Sequence, residues 1–229
     1  DFAASFLHAV SLSMVHLSRI AEDFILMTGE EFGFFELADS SATGSSMVPQ
    51  KKNPDPLELV RGKSGRAIGN LTGFLITMKG LPTGYNKDLQ EDKEPLFASE
   101  DRLAVSLDAT AAVVRNLTLH PDRTGRAASG LLLATDVADY LVSRGMPFRQ
   151  AHEVVGAMVR QLLAQKRDFE SLSIDEWRKS SELFGDDVKQ HVTAAASVRV
   201  RKTPQSTHPD AVSAALKELR GWLARGTGV

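Results

Sequence analysis

The first part of the chain carries apolar side chains at the spacing of an α-helix. They recur every three or four positions, which places them on one broad stripe. The stripe contains Phe2, Phe6, Ala9, Leu17, Ile20, Phe24 and Met27, and is broadened by Val10, Met14 and Ile25. This pattern predicts one long helix over residues 2–28 that is buried on more than one side.

Two further long helices are predicted downstream, separated by polar loops at 29–54 and 80–94. The second starts at Asp55-Pro56-Leu57-Glu58, with Asp55 as the expected N-cap, Pro56 at the first helical position and Glu58 as the capping partner. Pro95 starts the third. Both follow the three-four alternation of a bundle seam, at Leu57, Val60, Ala67, Leu71, Leu75 and Met78 in one and Leu96, Leu103, Leu107, Val114 and Leu117 in the other. Helices of roughly 25 residues, each about 37 Å long, favour an elongated bundle that forms an oligomer.

The remainder of the chain predicts shorter helices, at 129–143, 147–165, 173–181, 185–195 and 207–225. Ser173 and Glu176 have the spacing of a capping box at the start of one of them. Such short elements cannot extend a long bundle. The sequence therefore predicts an all-α protein with a central helical bundle over 1–119 and a smaller C-terminal helical domain over 120–229.

Composition excludes several classes of protein. The 229 residues are 42% apolar and 24% charged, which allows a real core. A net charge of −2 with scattered basic residues does not favour nucleic acid, and no apolar run approaches the roughly 20 residues of a membrane span. The absence of cysteine removes disulfides and thiolate chemistry and is compatible with the cytoplasm.

The chain begins at Asp1 inside an apolar-periodic stretch, so we expect that the beginning of the natural protein is missing.

The loop "GSSMVPQKKNP" at 44–54 carries the strongest chemical signal. Gly44 and the two serines leave backbone N–H groups accessible, Lys51 supplies a charge and Asn53 a neutral donor. The loop leads onto the positive end of a helix dipole, so its physics favours a carboxylate or phosphate ligand. A solvated linker remains an equal alternative at this point. The spacing of a Walker loop and that of a nucleophile elbow are both absent.

The same loop resembles the signature of the fumarase/aspartase superfamily, S-S-x-M-P-x-K-x-N-P. Val48 stands where that family ordinarily has Met. Three further stretches resemble its argininosuccinate lyase branch: "QKKNPD" at 50–55, "LPTGYNKDLQEDKE" at 81–94 and "GMPFRQAHE" at 145–153. Their common order along nearly the whole chain implies that branch and its long-helix fold.

The resemblance implies a role for each matching residue. Ser45 is the base that removes a proton next to a substrate carboxylate, and Lys51 and Asn53 stabilise the resulting charge. Glu58 holds the catalytic histidine of that family. Four residues contact the substrate: Ser46, Tyr85, Gln90 and Lys93. No cofactor or metal is implied.

The implied reaction is the cleavage of argininosuccinate to arginine and fumarate in arginine biosynthesis. The implied assembly is a cytoplasmic homotetramer in which three subunits build each site, without nucleic acid or membrane partners. None of the six histidines lies in the family's catalytic motif, so we expect the isolated chain to be inactive. Two alternatives remain: another lyase of the superfamily, acting on adenylosuccinate, aspartate or malate, and a crystallin-like structural protein.

Overall fold

The structure, a computed structural model, describes residues 1–44, 47 and 52–226. It divides into two compact units, Asp1–Arg123 and Thr124–Val229. The helices of the described residues are α1 Phe2–Thr28, α2 Asp55–Met78, α3 Lys93–Arg115, α4 Pro121–Ala127, α5 Ala134–Ser143, α6 Phe148–Gln165, α7 Ile174–Ser180, α8 Val188–His191, α9 Ala194–Arg199 and α10 Pro209–Gly226. The all-α prediction is thereby confirmed. The boundary expected from the sequence, after residue 119, remains a proposal about domain organisation.

The first unit is built on the three long helices that the sequence predicts. Asn70 of α2 donates from Nδ2 to Ser99 Oγ of α3 at 2.8 Å. At the other end of the pair, Val60 and Val105 line one cavity. Because Asn70 lies late in α2 and Ser99 early in α3, these contacts show that the two helices run antiparallel.

The seam predicted for α3 is wrong in part. Its buried residues are Ser99, Ser106, Thr110 and Val113, whereas Leu107 and Val114 are about half exposed. Small side chains allow the helices to approach closely. Ser99 Oγ accepts from Asn70 of α2, and Thr110 Oγ1 donates to the Ser106 carbonyl within α3 at 2.7 Å. Phe97, Val105, Leu107 and Val114 of α3 are exposed, whereas Leu96 and Leu103 pack against the core.

The stripe predicted for α1 is also divided between two sides. Val10, Met14 and Leu17 are buried in the unit, but Phe2 and Ile20 are exposed. Burial on more than one side, which the sequence predicts, is therefore not seen in the described residues. Within the described chain, α2 and α3 cover only one of those sides.

The stretch predicted as irregular, 29–54, contains short strands. They are β1 Phe35–Glu36, β2 Thr43–Gly44 and β3 Lys52–Asn53, and a fourth, β4 Thr118–Leu119, follows α3. β1 pairs antiparallel with β4, and β2 pairs antiparallel with β3. Phe35 also meets Phe24 of α1 edge to face at 5.5 Å, so this aromatic ring packs against the long helix.

The second unit has its own core, formed mainly by α5 and α6, to which α7 adds Trp177. Trp177 is its largest fully buried side chain; it stacks on Phe169 at 5.5 Å and meets Phe184 at 4.9 Å. The capping box is confirmed, since Ser173 Oγ accepts from the Glu176 backbone and Glu176 Oε2 accepts from the Ser173 backbone. The helix predicted at 185–195 is instead split into α8 and α9, because Val192 and Thr193 leave the helical conformation.

A buried tyrosine joins two segments of this unit. The Tyr140 hydroxyl donates to Asp187 Oδ1 at 2.7 Å and accepts from the Gly185 backbone at 3.1 Å, while Arg144 donates to Asp187 Oδ2 at 2.6 Å. Burial, and then the Asp187 carboxylate, raise the pKa of Tyr140. The hydrogen bond from Tyr140 lowers the pKa of Asp187. These contacts hold the segment before α8 against α5.

Replacing Gly185 with alanine is expected to destabilise the second unit by about 1–3 kcal/mol, as for other overpacked sites. The added Cβ would lie 2.6 Å from Asp187 Oδ1 and 3.1 Å from the Tyr140 hydroxyl, and both atoms are held by hydrogen bonds. Urea unfolding of both variants measures the effect. Gly156→Ala in α6 is the matched control, since its Cβ meets only Arg160 Nη1 at 3.6 Å and should stabilise by about 0.5–1 kcal/mol. Equal stability of the two variants would contradict the cluster's role.

The capping glutamate of α7 makes the second unit sensitive to acid. Arg167 Nη1 donates to Glu176 Oε1 at 2.8 Å. This contact, with the Ser173 backbone, lowers the pKa of Glu176 to about 2. Since the folded-state pKa lies below the unfolded value, the stabilisation is complete above about pH 5 and is lost as the pH falls toward about 2.

We therefore expect Glu176→Gln to flatten the acid side of the stability profile. The free energy of unfolding of the unsubstituted chain should decline more steeply between about pH 5 and about pH 3 than that of the variant. Urea titrations at each pH measure both slopes, and Glu182→Gln, on an exposed side chain of the same unit, is the control. Parallel slopes for all three proteins would refute the assignment.

Among the described residues, no helix has the length and apolar character needed to cross a membrane. The same residues contain no group of three or more side chains suited to hold a metal ion.

Candidate active site

The two arms of the predicted signature loop lie side by side. Pairing of β2 with β3 places Thr43 opposite Asn53 and Gly44 opposite Lys52. The sequence predicts a loop without strands over 44–54, so this pairing corrects the prediction at Gly44, Lys52 and Asn53. Three of the predicted site residues, Ser45, Ser46 and Lys51, lie outside the described residues.

Lys52 anchors one arm of the loop to the segment after β1. Its Nζ is 2.8 Å from Asp39 Oδ1 and 3.1 Å from Glu36 Oε1, and it donates to the Leu37 carbonyl at 3.4 Å. Hydrogen bonds to Asp39 and Glu36 raise the pKa of Lys52, and Lys52 lowers the pKa of both carboxylates. Lys52 therefore holds this arm of the loop against the segment after β1. No repeating pattern in the sequence predicts that Lys52 pairs with Glu36 and Asp39.

The start of α2 differs from the prediction by one residue. Pro54 is the N-cap and Asp55 is the first helical residue, so the predicted capping by Asp55 is wrong. The Asp55 side chain instead faces back toward the loop, where its Oδ2 accepts a hydrogen bond from Thr43 Oγ1. The backbone N–H of Glu58 donates to the Pro54 carbonyl at 3.0 Å, and the Glu58 side chain is exposed. Asn53 and Glu58 are thus both placed at the N-terminal end of α2.

The second predicted group lies beyond the other end of α2. Gly80 and Gly84 have positive φ values of 76° and 109°, which turn the chain after the helix. A 3₁₀ turn over Lys87–Asp92 follows and carries Gln90. Tyr85 is 71% exposed, and Lys93, at the start of α3, pairs with Asp92 at 2.9 Å.

The length of α2 keeps the two groups apart within one chain. At 24 residues and 1.5 Å per residue, α2 is about 36 Å long. Asn53 and Glu58 precede or begin this helix, whereas Tyr85, Gln90 and Lys93 follow it. One copy of the described chain therefore does not bring them together around one small substrate.

A cavity of about 410 Å³ lies beside the start of α2. Its lining is mostly apolar and includes Leu59, Val60 and Val105, with Asp55 and Lys63 as the charged residues. The sequence predicts only a capping role for Asp55 and gives no signal for Thr43. The bond between them was not visible in the sequence because it joins residues on either side of the loop.

Comparison with known proteins identifies the family. A model described as "Argininosuccinate lyase C-terminal" matches residues 131–199, and one described as "Lyase" matches residues 1–69. The argininosuccinate lyase of Moorella thermoacetica is 49% identical over 225 residues, which is 98% of this chain and 48% of that protein. The argininosuccinate lyase of Frankia casuarinae is 49% identical over 226 residues, which is 98% of this chain and 49% of that protein.

Solved structures agree on the fold. An EDDS lyase variant with bound fumarate superimposes with a TM-score of 0.85 at 29% identity, over 98% of this chain and 48% of that one. In that variant, methionine replaces an aspartate and a tyrosine thirty positions apart. A 3-carboxy-cis,cis-muconate lactonizing enzyme from Pseudomonas putida shares the fold, with a TM-score of 0.72 at 21% identity over 98% of this chain and 47% of that one. The chain spans about half the length of the curated relatives it matches. With four resembling stretches in order and 49% identity along almost its whole length, it belongs to the argininosuccinate lyase family of the fumarase/aspartase superfamily.

Proposed function

We propose that this chain supplies the proton-abstracting side of an enzyme that cleaves argininosuccinate to arginine and fumarate. The observation that carries the proposal is the position of the signature loop. Its arms are paired through Thr43 and Asn53 and lead directly into α2, whose first turn holds Glu58. The proposal includes the cofactor-free, cytoplasmic role in arginine biosynthesis that the family resemblance implies.

The proposed chemistry assigns one step to each group. Ser45, as its oxyanion, takes the proton from the carbon next to a substrate carboxylate, and the electron pair is delocalised into that carboxylate. Lys51 and Asn53 stabilise the doubly charged intermediate more than the substrate, which lowers the barrier. The carbon–nitrogen bond then breaks, its electron pair leaves on the guanidino nitrogen, and an acid protonates that nitrogen. Glu58 orients the histidine acid, which comes from another part of the whole protein.

The separation of the two groups supports a site shared between copies. If Asn53 and Lys93 act on one substrate, they must come from different chains, because α2 lies between them. The long helices also carry apolar side chains that the first unit leaves exposed, namely Phe2, Leu59, Phe97, Val105, Leu107 and Val114. Covering them in a larger bundle would be favourable at about 25 cal/mol per Å² of apolar surface. A homotetramer with sites built from three subunits is the proposed assembly.

The test is made on an enzyme that we call the joined enzyme. It consists of this chain fused behind the part of the Moorella thermoacetica relative that the chain does not match. We expect it to release fumarate from argininosuccinate, followed by fumarate absorbance, and we expect this chain alone to release none. Parallel assays with adenylosuccinate, aspartate and malate should show no turnover. A joined enzyme that forms a tetramer but releases fumarate only from another substrate would contradict the proposal.

A further inference from the structure

Asp55 is fixed next to the proposed site from two directions. It is the first residue of α2, and its Oδ2 accepts a hydrogen bond from Thr43, which lies opposite Asn53 in the paired strands. The sequence does not predict Asp55 as a site residue. Its carboxylate lies there because the β2–β3 pair and the start of α2, which position Asn53, also position Asp55.

Within the described part of the chain, the other carboxylate oxygen of Asp55, Oδ1, has no hydrogen-bond partner. Among the described residues, the hydrogen bond from Thr43 reaches only Oδ2, and Lys63, the other charged residue lining the same cavity, forms no ion pair with Asp55. Asp55 is half-buried, so the side chain is partly shielded from water. A shielded carboxylate with one free oxygen favours a cationic N–H donor.

The charges of the substrate decide which end Asp55 can meet. The succinate end of argininosuccinate carries two carboxylates, which Asp55 would repel, and Lys51 and Asn53 are proposed for that end. The guanidinium group joins the succinate to the rest of arginine, whose far end carries an ammonium and a carboxylate. The guanidinium is therefore the cation next to the succinate carboxylates that Lys51 and Asn53 are proposed to hold, and this cation suits the free oxygen of Asp55.

The EDDS lyase variant with bound fumarate carries a pair of substitutions at a matching spacing. Its aspartate and tyrosine, thirty positions apart, were replaced together. In this chain Asp55 and Tyr85 are thirty positions apart, and Tyr85 is already proposed as a substrate contact. Because α2 separates the two in one chain, they would meet the substrate from different copies.

We propose that Asp55 is a specificity-determining residue whose Oδ1, unpartnered among the described residues, accepts a hydrogen bond from the guanidinium group of the substrate. This inference rests on the proposed function. It predicts that Asp55 discriminates a cationic leaving group from a neutral one of the same shape. It does not give Asp55 a part in proton transfer.

The test runs the joined enzyme in the direction of synthesis, from fumarate and arginine. Asp55→Asn should raise the KM for arginine about 10- to 100-fold, as for the loss of one charge-assisted hydrogen bond, and leave the KM for fumarate unchanged. Citrulline, a neutral analogue of arginine, is used as a competing inhibitor. Its inhibition constant should stay the same in the variant, so that the preference for arginine over citrulline is lost.

A matched variant separates recognition from a purely structural role. Thr43→Val removes the partner of Oδ2 but keeps the carboxylate, so it should preserve the preference for arginine over citrulline. If Asp55→Asn weakens the binding of arginine, citrulline and fumarate equally, Asp55 only positions the loop and the inference is wrong. If none of the three changes, Asp55 lies outside the site and the inference is again wrong. A joined enzyme that forms a tetramer but is unreactive before any substitution overturns the proposed function itself, which distinguishes the two failures.

Discussion

Replacing Ser45 with alanine in the joined enzyme is expected to lower kcat for argininosuccinate by about 10²- to 10⁴-fold, the range for loss of a general base. The hydroxyl is the only proposed acceptor for the substrate proton. The remaining donors would still bind the substrate, so KM should change much less than kcat. Stopped-time assays of fumarate release measure both constants.

Ser46→Ala is the control for the serine substitution. It removes a hydroxyl from the next position and is expected to act mainly through KM, since Ser46 is proposed as a substrate contact. Circular dichroism of both variants should match that of the joined enzyme, because the buried core of the bundle lies in the helices. A Ser45→Ala enzyme with a nearly unchanged kcat would remove Ser45 from the mechanism.

Replacing Trp177 with alanine is expected to lower the stability of the second unit by about 3–5 kcal/mol. The indole ring is fully buried, stacks on Phe169 and meets the edge of Phe184. Its Nε1–H has no hydrogen-bond partner among the described residues. The loss is therefore one of packing rather than of a hydrogen bond. Urea unfolding followed by circular dichroism measures the change.

Trp222→Ala is the matched control for the tryptophan substitution. Trp222 lies on α10 and is 61% exposed in the described chain, so its removal should change the free energy of unfolding by about 0.5 kcal/mol or less. Trp177→Phe keeps an aromatic ring in the core and should fall between the two. If Trp177→Ala were as stable as Trp222→Ala, the aromatic core would not hold the second unit together.

The helices could be predicted because their signals are local. The apolar period of three and four residues located α1, α2 and α3, and the pair Ser173 and Glu176 located the start of α7. These patterns act within one or two turns of chain, which the sequence displays directly. The signature loop could be recognised for the same reason, since its chemical groups lie within eleven consecutive residues.

The buried face of α3 could not be chosen from the same patterns. Its leucines and valines form a regular seam, yet the helix turns Ser99, Ser106 and Thr110 toward its neighbours. Both faces are compatible with a helix, and the choice depends on how closely α2 approaches. The short strands were missed for a similar reason, since two-residue pairings such as Phe35 with Leu119 arise only after the long helices have assembled.

The site was predicted as a list of residues but not as an arrangement. Sequence order places Asn53 and Lys93 within forty positions, which suggests proximity. The intervening helix instead places them at opposite ends of the bundle. Two further contacts could not be predicted because they join segments that are distant in the sequence. They are the ion pairs of Lys52 with Glu36 and Asp39, and the hydrogen bond from Thr43 to Asp55.

Mixing two inactive variants tests the shared site most directly. Ser45→Ala and Lys93→Ala are purified separately as joined enzymes, then unfolded and refolded together so that their subunits exchange. If Ser45 and Lys93 reach one substrate from different copies, some mixed assemblies contain a site with both residues intact. We predict that the mixture releases fumarate from argininosuccinate at a substantial fraction of the unsubstituted rate. A mixture that is only as active as its two separate components would show that each chain builds its own site, which contradicts the arrangement.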